Sequence, residues 1–373
     1  MNNIKVLHFY KTAIPSTIGG VEVFMDTLCD TTADLGVNST ILALSKDPAP
    51  DVVAMPKYKL VQAKQNFFIA STGFSFSVVS KFRKLAAAAD IIHYHFPNPF
   101  ADILHLANQI KKPSVVTYHS DIIKQKHLLK IYNPLMHKFL AATDKIIATS
   151  ENYFNTSAVL QKYADKVEII PVGLDIKNLS ALNLERVAYW QQRLPANFFL
   201  FVGALRYYKG LHTALDAIKG TNLQLAIAGS GGIENELKNY AQQHGISNAH
   251  FVGNISEQDK VALHHLSKAF VFPSHLRSEA FGLSLVEAAA LKKPMISCEI
   301  GTGTSFINVD QQTGFVVRPE AAPELRAAMH RLLENPDTAT QFGINAQQRY
   351  LDLFTATKQA ESYVNVYRQL LSR

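Results

Sequence analysis

Short apolar runs rich in β-branched residues recur along the 373-residue chain, and this alternation constrains the fold more than any other feature. Stretches with helical spacing separate many of the runs, for example Val21–Leu35 and Lys209–Lys219. Alternation of strand and helix is typical of parallel sheets with helices on both faces. We predict six strands in each half of the chain: Ile4–Phe9, Ser39–Leu44, Asp90–His95, Ser114–His119, Lys145–Ser150, Lys166–Ile170, Phe198–Gly203, Leu223–Ala228, His250–Gly253, Ala269–Pro273, Pro294–Cys298 and Gly314–Val317.

This pattern predicts an α/β protein of two Rossmann-like, doubly wound domains with a cleft between them. We place the first domain at residues 1–178 and the second at residues 179–354, with the segment Pro171–Pro195 as their join. A C-terminal helix, residues 355–373, is expected to pack back on the first domain. Ligands of such sheets bind beyond the carboxyl ends of the strands, so the loops that follow the strands are the first places to search for a site.

Composition excludes several other classes of protein. The chain is 47% hydrophobic and 18% charged, which is typical of a globular protein. No apolar run approaches the roughly 18 residues of a membrane span, and the N-terminus lacks the apolar stretch of a signal peptide. Two cysteines, Cys29 and Cys298, are too few for a disulfide framework or a four-cysteine zinc site. We therefore expect a cytoplasmic protein, and its net charge of +7 does not require nucleic acid as a partner.

Two stretches of the first half leave alternatives open. Residues 124–140 combine lysines and histidines with an apolar side, a pattern that fits an anionic membrane surface but is also that of an ordinary core helix. Residues 66–85 contain five phenylalanines followed by basic side chains, and they fit a lid, an interfacial segment or a loop packed on the domain.

Three loops that follow predicted strands have features of phosphate sites. Gly19 and Gly20 precede a helix, Arg206 and Lys209 lie just beyond a strand, and Gly231 belongs to a Gly-Ser-Gly-Gly turn. Close backbone approach, a helix N-terminus and cationic side chains all favour an anion. Each loop alone also fits ordinary turn chemistry. The first strand lacks the Gly-x-Gly-x-x-Gly pattern, which disfavours a dinucleotide dehydrogenase.

A pair of glutamates gives the sharper signal. Glu279 and Glu287 flank seven residues, and Leu283, Val286 and Ala290 form an apolar stripe at helical spacing. Glu287 is therefore expected on a helix, with Glu279 near its start. A carboxylate accepts two hydroxyl hydrogen bonds, which suits the vicinal diol of a sugar or a ribose. The alternative is one charge that stabilises the helix dipole and one solvated glutamate.

Taken in order, these motifs resemble the retaining, GT-B-fold glycosyltransferases of family four, in particular their bacterial polysaccharide and lipopolysaccharide branch. The resemblance covers nearly the whole chain. Its marks are Ile18–Glu22, Thr117–Asp121, Ile169–Asp175, Val202–Gly210, Ala228–Gly232, Glu279 with Glu287, Ile300–Thr304 and Thr313–Val317. The sequence departs from the family at Ala204, where many members have an arginine, and this departure leaves the role of Arg206 open.

The resemblance implies a role for each matching position. His119 would face the donor sugar, Glu279 would hold the sugar hydroxyls, and Glu287 would hold the ribose hydroxyls. Lys209 and Arg206 would clamp the diphosphate. We expect His119, Glu279 and Lys209 to be the catalytic residues. The expected donor-binding residues are Gly19, Gly20, Arg206, Lys209, Gly231, Val252, Phe281, Gly282, Leu283 and Glu287.

The implied activity is transfer of a hexose-type sugar, with retention of configuration, from a GDP- or UDP-sugar to a saccharide or lipid-linked saccharide acceptor. The sequence contains no Asp-x-Asp motif, so we expect no metal and no cofactor, and the cations would stabilise the leaving diphosphate. We expect a cytoplasmic enzyme that serves cell-surface polysaccharide synthesis, and a peripheral position at the inner face of the cytoplasmic membrane stays open with the role of residues 124–140. The alternatives are a nucleotide-sugar epimerase or hydrolase of the same fold, or a non-catalytic subunit that binds sugar nucleotides.

Overall fold

The computed structural model describes residues 3–69, 72–122, 126–176, 179 and 181–373, and their side chains except at residues 69 and 126–129. The chain forms two compact units. The first comprises Met1–Gly173 together with Ala356–Arg373, and the second comprises Leu174–Thr355. Helices and strands are numbered along the chain. None of the described helices is both long enough and apolar enough to cross a membrane.

The first unit is built on an eight-stranded sheet and a small hairpin. Its strands are β1 (Ile4–Phe9), β2 (Val37–Ser45), β3 (Val52–Ala54), β4 (Lys59–Lys64), β5 (Phe67–Ile69), β6 (Thr72–Phe74), β7 (Ile91–Phe96), β8 (Ser114–Tyr118), β9 (Lys145–Ala148) and β10 (Val167–Ile169). Its helices are α1 (Gly20–Ala33), α2 (Ser77–Ala88), α3 (Pro99–Ala107), α4 (Lys126–Ala142), α5 (Glu151–Thr156), α6 (Ala158–Gln161) and the C-terminal α15 (Ala356–Leu371). The strand order is β10-β9-β8-β7-β1-β2-β4-β3, and β5 pairs with β6.

The second unit is built on a six-stranded sheet. Its strands are β11 (Phe198–Val202), β12 (Gln224–Ala228), β13 (Ala249–Gly253), β14 (Phe270–Phe272), β15 (Met295–Cys298) and β16 (Gly314–Val317). Its helices are α7 (Leu184–Gln191), α8 (Leu211–Ile218), α9 (Glu234–Gln243), α10 (Glu257–Leu266), α11 (Leu283–Ala290), α12 (Gly303–Ile307), α13 (Ala322–Glu334) and α14 (Pro336–Leu353). The strand order is β13-β12-β11-β14-β15-β16, and all pairs are parallel.

All twelve predicted strands are present, and most of them are buried along much of their length, as parallel strands covered on both faces are. The sequence reasoning missed β3 to β6. Lys59–Lys64 pairs in parallel with β2, whereas Val52–Ala54 is a three-residue antiparallel edge strand. The aromatic stretch 66–85 holds the β5–β6 hairpin and most of α2, so it is not a loop.

The segment Pro171–Pro195, predicted as the join of the two domains, contains the helix α7. The side chain of Asn183 accepts hydrogen bonds from the backbone N–H groups of Glu185 and Arg186 and so caps the helix. Nε1 of Trp190 donates to Asp259 Oδ1 at 2.8 Å, which ties α7 to α10. The polar composition of the segment concealed a short helix held by its cap and by one buried tryptophan.

Each sheet has one point at which the chain reverses its direction of winding. In the second sheet this switch point lies between β11 and β14, and in the first it lies between β1 and β7. Crevices outside the carboxyl ends of strands at such points are the usual ligand sites of open α/β sheets. The loops that follow β11 and β14, and those that follow β1 and β7, are therefore the places to search for function.

Candidate functional site

An ion pair joins the two loops at the switch point of the second sheet. Lys209 Nζ donates to Glu279 Oε2, and both side chains are nearly buried. Ser274, two residues beyond the end of β14, donates its hydroxyl to the same carboxylate oxygen at 3.3 Å. The ammonium of Lys209 also lies 4.6 Å from the ring centroid of Phe272. The structure thus places a cation and a carboxylate, 70 residues apart in sequence, at the point predicted for a ligand.

The position of Gly210 shows how closely these two loops pack. Gly210 has φ of +66°, and an added Cβ would lie 1.9 Å from the carbonyl oxygen of Pro273. Only glycine fits both the left-handed backbone and this close approach. The contact places Lys209 directly against the end of β14, beside Glu279.

Arg206 differs from Lys209 in its surroundings. It is exposed, with extended backbone angles, immediately before a short 3₁₀ turn over Tyr207–Lys209. Among the described residues, none forms a salt bridge with Arg206. Ala204 is also exposed, and its side chain supplies no charge at this loop. Arg206 is thus an unpaired cation beside a paired one, close enough in sequence to serve the same anion.

The glycine turn after β12 packs against the same loop. A Cβ on Gly231 would lie 2.2 Å from the carbonyl oxygen of Leu205, whereas a Cβ on Gly232 would meet no atom within 4 Å. Leu205 N–H donates to the carbonyl oxygen of Ser230 at 2.9 Å. Gly231 is therefore required for the close approach of two backbones, and Gly232 is not.

The N-terminus of α11 lies directly after Glu279. Gly282 is its N-cap residue, with φ of +102° and no side chain to cap the helix. Because the first backbone N–H groups of a helix have no intrahelical partner, those that begin at Leu283 suit an anion or an oxygen-rich ligand. Phe281 is buried, and a Cβ on Gly303 would lie 2.6 Å from its ring. The absence of a side chain at Gly303, in the Gly-Thr-Gly-Thr sequence of residues 301–304, therefore leaves room for Phe281.

Glu287 lies one turn further along α11 and is held by Lys260 of α10. Lys260 Nζ donates to Glu287 Oε1 at 2.7 Å, and Glu257 lies 2.8 Å from the same ammonium. Burial raises the pKa of Glu287, and the charge of Lys260 opposes that shift. Burial alone would lower the pKa of Lys260, but the two carboxylates raise it overall. Glu287 is thus a buried, ion-paired carboxylate and not a solvated helix residue.

Fewer contacts define the surroundings of Val252, the candidate contact to the base, and of the loop that contains Gly19 and Gly20. Val252 lies on β13, the edge strand of the second sheet, and is half-buried. In the first unit, Gly19 is the N-cap of α1 without a side-chain cap, and Gly20 is exposed at the first helical position. Glu22, in the first turn of α1, accepts a hydrogen bond from Thr12 Oγ1 at 2.5 Å. A carboxylate already lies within this helix N-terminus.

His119 follows β8 and belongs to a line of histidines. Its Nε2 lies 3.1 Å from His95 Nδ1, and His95 Nε2 lies 3.2 Å from His8 Nδ1. The ring of Phe24 stands edge-on to His119 at 4.9 Å between centroids. Burial lowers the pKa of His119 and of His8 to about 3 and holds that of His95 well below 6.5. All three rings are therefore neutral near pH 7.

A fourth histidine, His93, lies beside this line but has other partners. Its Nδ1 lies 2.8 Å from the hydroxyl of Tyr367, and its Nε2 lies 2.7 Å from that of Thr117. Ligating nitrogens of His8, His93 and His95 lie within 4.8 Å of one another, a spacing compatible with a metal ion. Direct hydrogen bonds nevertheless account for every ring nitrogen of these three except Nε2 of His8, which is buried without a partner.

Sequence reasoning missed Ser274, Lys260, His8 and His95 as parts of the candidate site. Of these residues, His95 had a readable signal, because His93 and His95 alternate on one strand and so point to the same face. His8 is paired with His93 in the register of β1 and β7. Lys260 and Ser274 had no such signal, since a lysine on a polar helix and a serine at a strand end are common.

Two family models cover most of the chain. The model described as "Glycosyltransferase Family 4" matches residues 18–178, and the model described as "Glycosyl transferases group 1" matches residues 189–349. Among curated proteins, the D-rhamnosyltransferase WbpZ of Pseudomonas aeruginosa is 50% identical over 95% of this chain and 93% of its own length. The O-antigen chain mannosyltransferase C of Escherichia coli is 45% identical over 99% of both chains.

Solved structures show the same fold at low identity. Sucrose-phosphate synthase of Thermosynechococcus elongatus has a TM-score of 0.83 at 23% identity and covers 99% of this chain and 100% of its own. HepE of Anabaena in complex with UDP-glucose has a TM-score of 0.77 at 18% identity and covers 98% of this chain and 100% of its own. The predicted fold, GT-B with two Rossmann-like domains, is therefore confirmed.

Proposed function

Because the chain belongs to the family described by the group 1 and family 4 glycosyltransferase models, it is a glycosyltransferase, and we propose that it transfers a sugar of the manno configuration during synthesis of a cell-surface polysaccharide. The relatives with 50% and 45% identity are named for D-rhamnose and mannose. D-rhamnose is 6-deoxy-D-mannose, so the two sugars share their configuration and differ only at C6. The proposed acceptor is a saccharide or lipid-linked saccharide. These relatives give no support to the epimerase, hydrolase or non-catalytic alternatives.

The observation that carries the proposed site is the Lys209–Glu279 ion pair at the switch point of the second sheet. An incoming diphosphate competes with Glu279 for the ammonium of Lys209, and the sugar hydroxyls replace the ammonium as donors to Glu279. Arg206 supplies a second cation. Close backbone contacts come from two turns: the turn after β12, with Gly231, and the start of α11, with Phe281, Gly282 and Leu283. In this assignment, Glu287 receives the ribose hydroxyls, and Val252 lies beside the base.

In the first unit, Gly19 and Gly20 are assigned to the donor phosphate or sugar, and His119 to the donor sugar. His119 is neutral because burial lowers its pKa to about 3. It therefore acts as a hydrogen-bond partner and not as a charge. We assign the catalytic roles to His119, Glu279 and Lys209.

We propose a retaining, metal-independent reaction. The bond between C1 of the sugar and the diphosphate oxygen breaks, and the acceptor oxygen bonds to C1 on the same face. The acceptor proton passes to the departing diphosphate. Lys209 and Arg206 offset the negative charge that develops on that diphosphate, which is the main contribution expected from preorganised cations. The donor base is guanine or uracil.

A transfer assay tests this function. The purified chain is incubated with GDP-mannose, UDP-glucose or UDP-galactose and a mannose-terminated acceptor, with and without EDTA. We expect transfer from GDP-mannose, no loss with EDTA, and a product with the anomeric configuration of the donor by NMR. Transfer only from the UDP-sugars would contradict the manno assignment. An inverted product or loss of activity with EDTA would contradict the mechanism.

We also propose that the enzyme works on the cytoplasmic side of the membrane and binds its anionic surface through α4. Lys130, Ile131 and Lys138 are exposed on this helix, while Met136 and Phe139 are buried in the unit. Lys124 of the predicted basic stretch lies outside the described residues. Binding to vesicles that contain anionic lipid, weakened by salt, would support this proposal, and equal binding to neutral vesicles would contradict it.

A further inference from the structure

A line of three histidines, two of them fully buried, ends at the candidate catalytic residue His119. His8 on β1, His95 on β7 and His119 after β8 are joined by two hydrogen bonds, 3.2 Å and 3.1 Å long. His8 and His95 are fully buried, and His119 is partly exposed. The line therefore runs from the interior of the first unit to its surface at the ends of three neighbouring strands.

The two hydrogen bonds must point in the same direction. A neutral imidazole has one N–H donor and one acceptor nitrogen. His95, in the middle, uses both nitrogens, so it donates to one neighbour and accepts from the other. Burial holds the pKa of all three rings below the neutral range, which excludes a second proton on any of them near pH 7. Only an outward direction, from His8 to His119, or an inward direction remains.

The unpartnered nitrogen of His8 decides between these directions. Nε2 of His8 is buried and has no hydrogen-bond partner. An inward line would place a proton on this atom and leave a buried N–H without an acceptor, which is rare in folded proteins. An outward line leaves only an unused lone pair there. The outward direction places the proton of each ring on Nδ1.

We propose that His95 and His8 are positioning residues that hold His119 in its Nδ1–H tautomer, so that His119 presents an N–H donor to the sugar. Nε2 of His119 is committed to His95, and none of the described residues accepts a hydrogen bond from its Nδ1. Phe24 contacts the rings of both His119 and His95, at 4.9 and 5.8 Å between centroids, and fixes their orientation. This assignment rests on the proposed function only for the identity of the ligand that His119 meets.

The tautomers are measured directly by ¹⁵N NMR on the full-length protein with labelled histidines, at pH 7.5 and without donor. We expect His8, His95 and His119 all to show the Nδ1–H pattern, which is opposite to the preference of free histidine in water. His95→Leu removes the donor to His119 and should return that ring to the Nε2–H form. His95→Asn keeps a donor near the position of Nδ1 and should preserve the Nδ1–H form.

His105→Asn is the matched control. His105 is another buried histidine of the first unit, and it is bonded to the hydroxyl of Tyr94 at 3.0 Å, outside the line. This control should leave the His119 signals unchanged. In the transfer assay, His95→Leu should lower kcat/KM about tenfold, with most of the activity restored in His95→Asn.

An Nε2–H pattern for His119 in the unaltered protein would overturn the proposal, as would an unchanged His119 tautomer in His95→Leu. One equivalent of tightly bound zinc, lost in His8→Leu, would also overturn it, because the cluster would then be a metal site. Failure to find any sugar transfer would contradict the proposed function and leave the NMR result intact.

Discussion

The two units place polar side chains of opposite character at their switch points. In the first unit, His119, His95 and His8 are neutral rings bonded to one another. In the second, Lys209 with Glu279 and Lys260 with Glu287 are ion pairs. Apart from Nε2 of His8, both arrangements give buried polar groups a partner, but they respond to different changes. The neutral line is disturbed when protons are added, and the ion pairs are disturbed when one partner is removed or an anion arrives.

Acidification should produce the largest difference in stability between the two units. Among the described residues of the first unit, five histidines have a pKa well below 6.5: the buried His8, His93, His95 and His105, and the partly exposed His119. The second unit contains one fully buried histidine, His264, with a pKa lowered to about 3. Because these rings bind protons more readily unfolded than folded, stability falls as pH drops below about 6.5, by up to about 1.4 kcal/mol per pH unit for each histidine.

Hydrogen exchange at pH 7.5 and 5 measures this difference. Peptides from β1, β7 and β8 should lose protection before those from β11 and β14. Trp190, the single tryptophan, lies in the second unit, and its fluorescence gives an independent control there. Its partner Asp259 has a lowered pKa, so that contact should survive at pH 5. Simultaneous loss of protection in both units would contradict the greater acid sensitivity of the first unit.

Removing one member of the Lys209–Glu279 pair should give the largest effect on catalysis. Lys209→Met and Glu279→Gln should each lower kcat/KM by about 10²- to 10³-fold, because the transition state loses a preorganised charge or a sugar contact. The matched control is Lys238→Met, which breaks an ion pair on α9 of the same unit, at 2.7 Å from Glu234. Comparable losses in the control would show that ion pairs in this unit matter only for folding.

The two adjacent glycines after β12 provide a sharper test of geometry. Gly231→Ala should destabilise the second unit by about 1–3 kcal/mol, because its Cβ would overlap the carbonyl oxygen of Leu205. Gly232→Ala should change stability by no more than about 0.5 kcal/mol, since its Cβ meets no atom within 4 Å. Urea unfolding followed by the fluorescence of Trp190 measures both. Equal effects would contradict the described packing of this turn.

The smallest effect is expected at the second ion pair. Lys260→Met removes the partner that holds Glu287, the residue assigned to the ribose hydroxyls. The KM for the donor should rise about tenfold and kcat should change little, because ribose contacts contribute equally to the ground state and the transition state. Glu257, the other partner of Lys260, is mostly exposed, so Glu257→Gln should raise the KM less. A loss confined to kcat would contradict the assignment of Glu287 to the ribose.

The sequence predicted twelve of the fourteen strands of the two large sheets, because continuous apolar runs can be read without knowing their neighbours. The edge strand β3 was missed because three residues carry too little periodicity. Lys209 and Glu279 were each predicted as site residues, but their mutual ion pair was not, since it depends on two loops meeting at the switch point. The histidine line was missed for the same reason, because neighbouring strands cannot be assigned from one sequence. The domain limits at residues 178 and 179 stay predictions.

The central claim is that the donor binds at the switch point of the second sheet, and hydrogen exchange with and without GDP-mannose tests it most directly. Donor should slow exchange in residues 203–210 and 274–286 of the unaltered protein, with little change in α14. The same protection should be lost in Lys209→Met and kept in Lys238→Met. Protection absent from both loops, or equally strong in Lys209→Met, would contradict the claim.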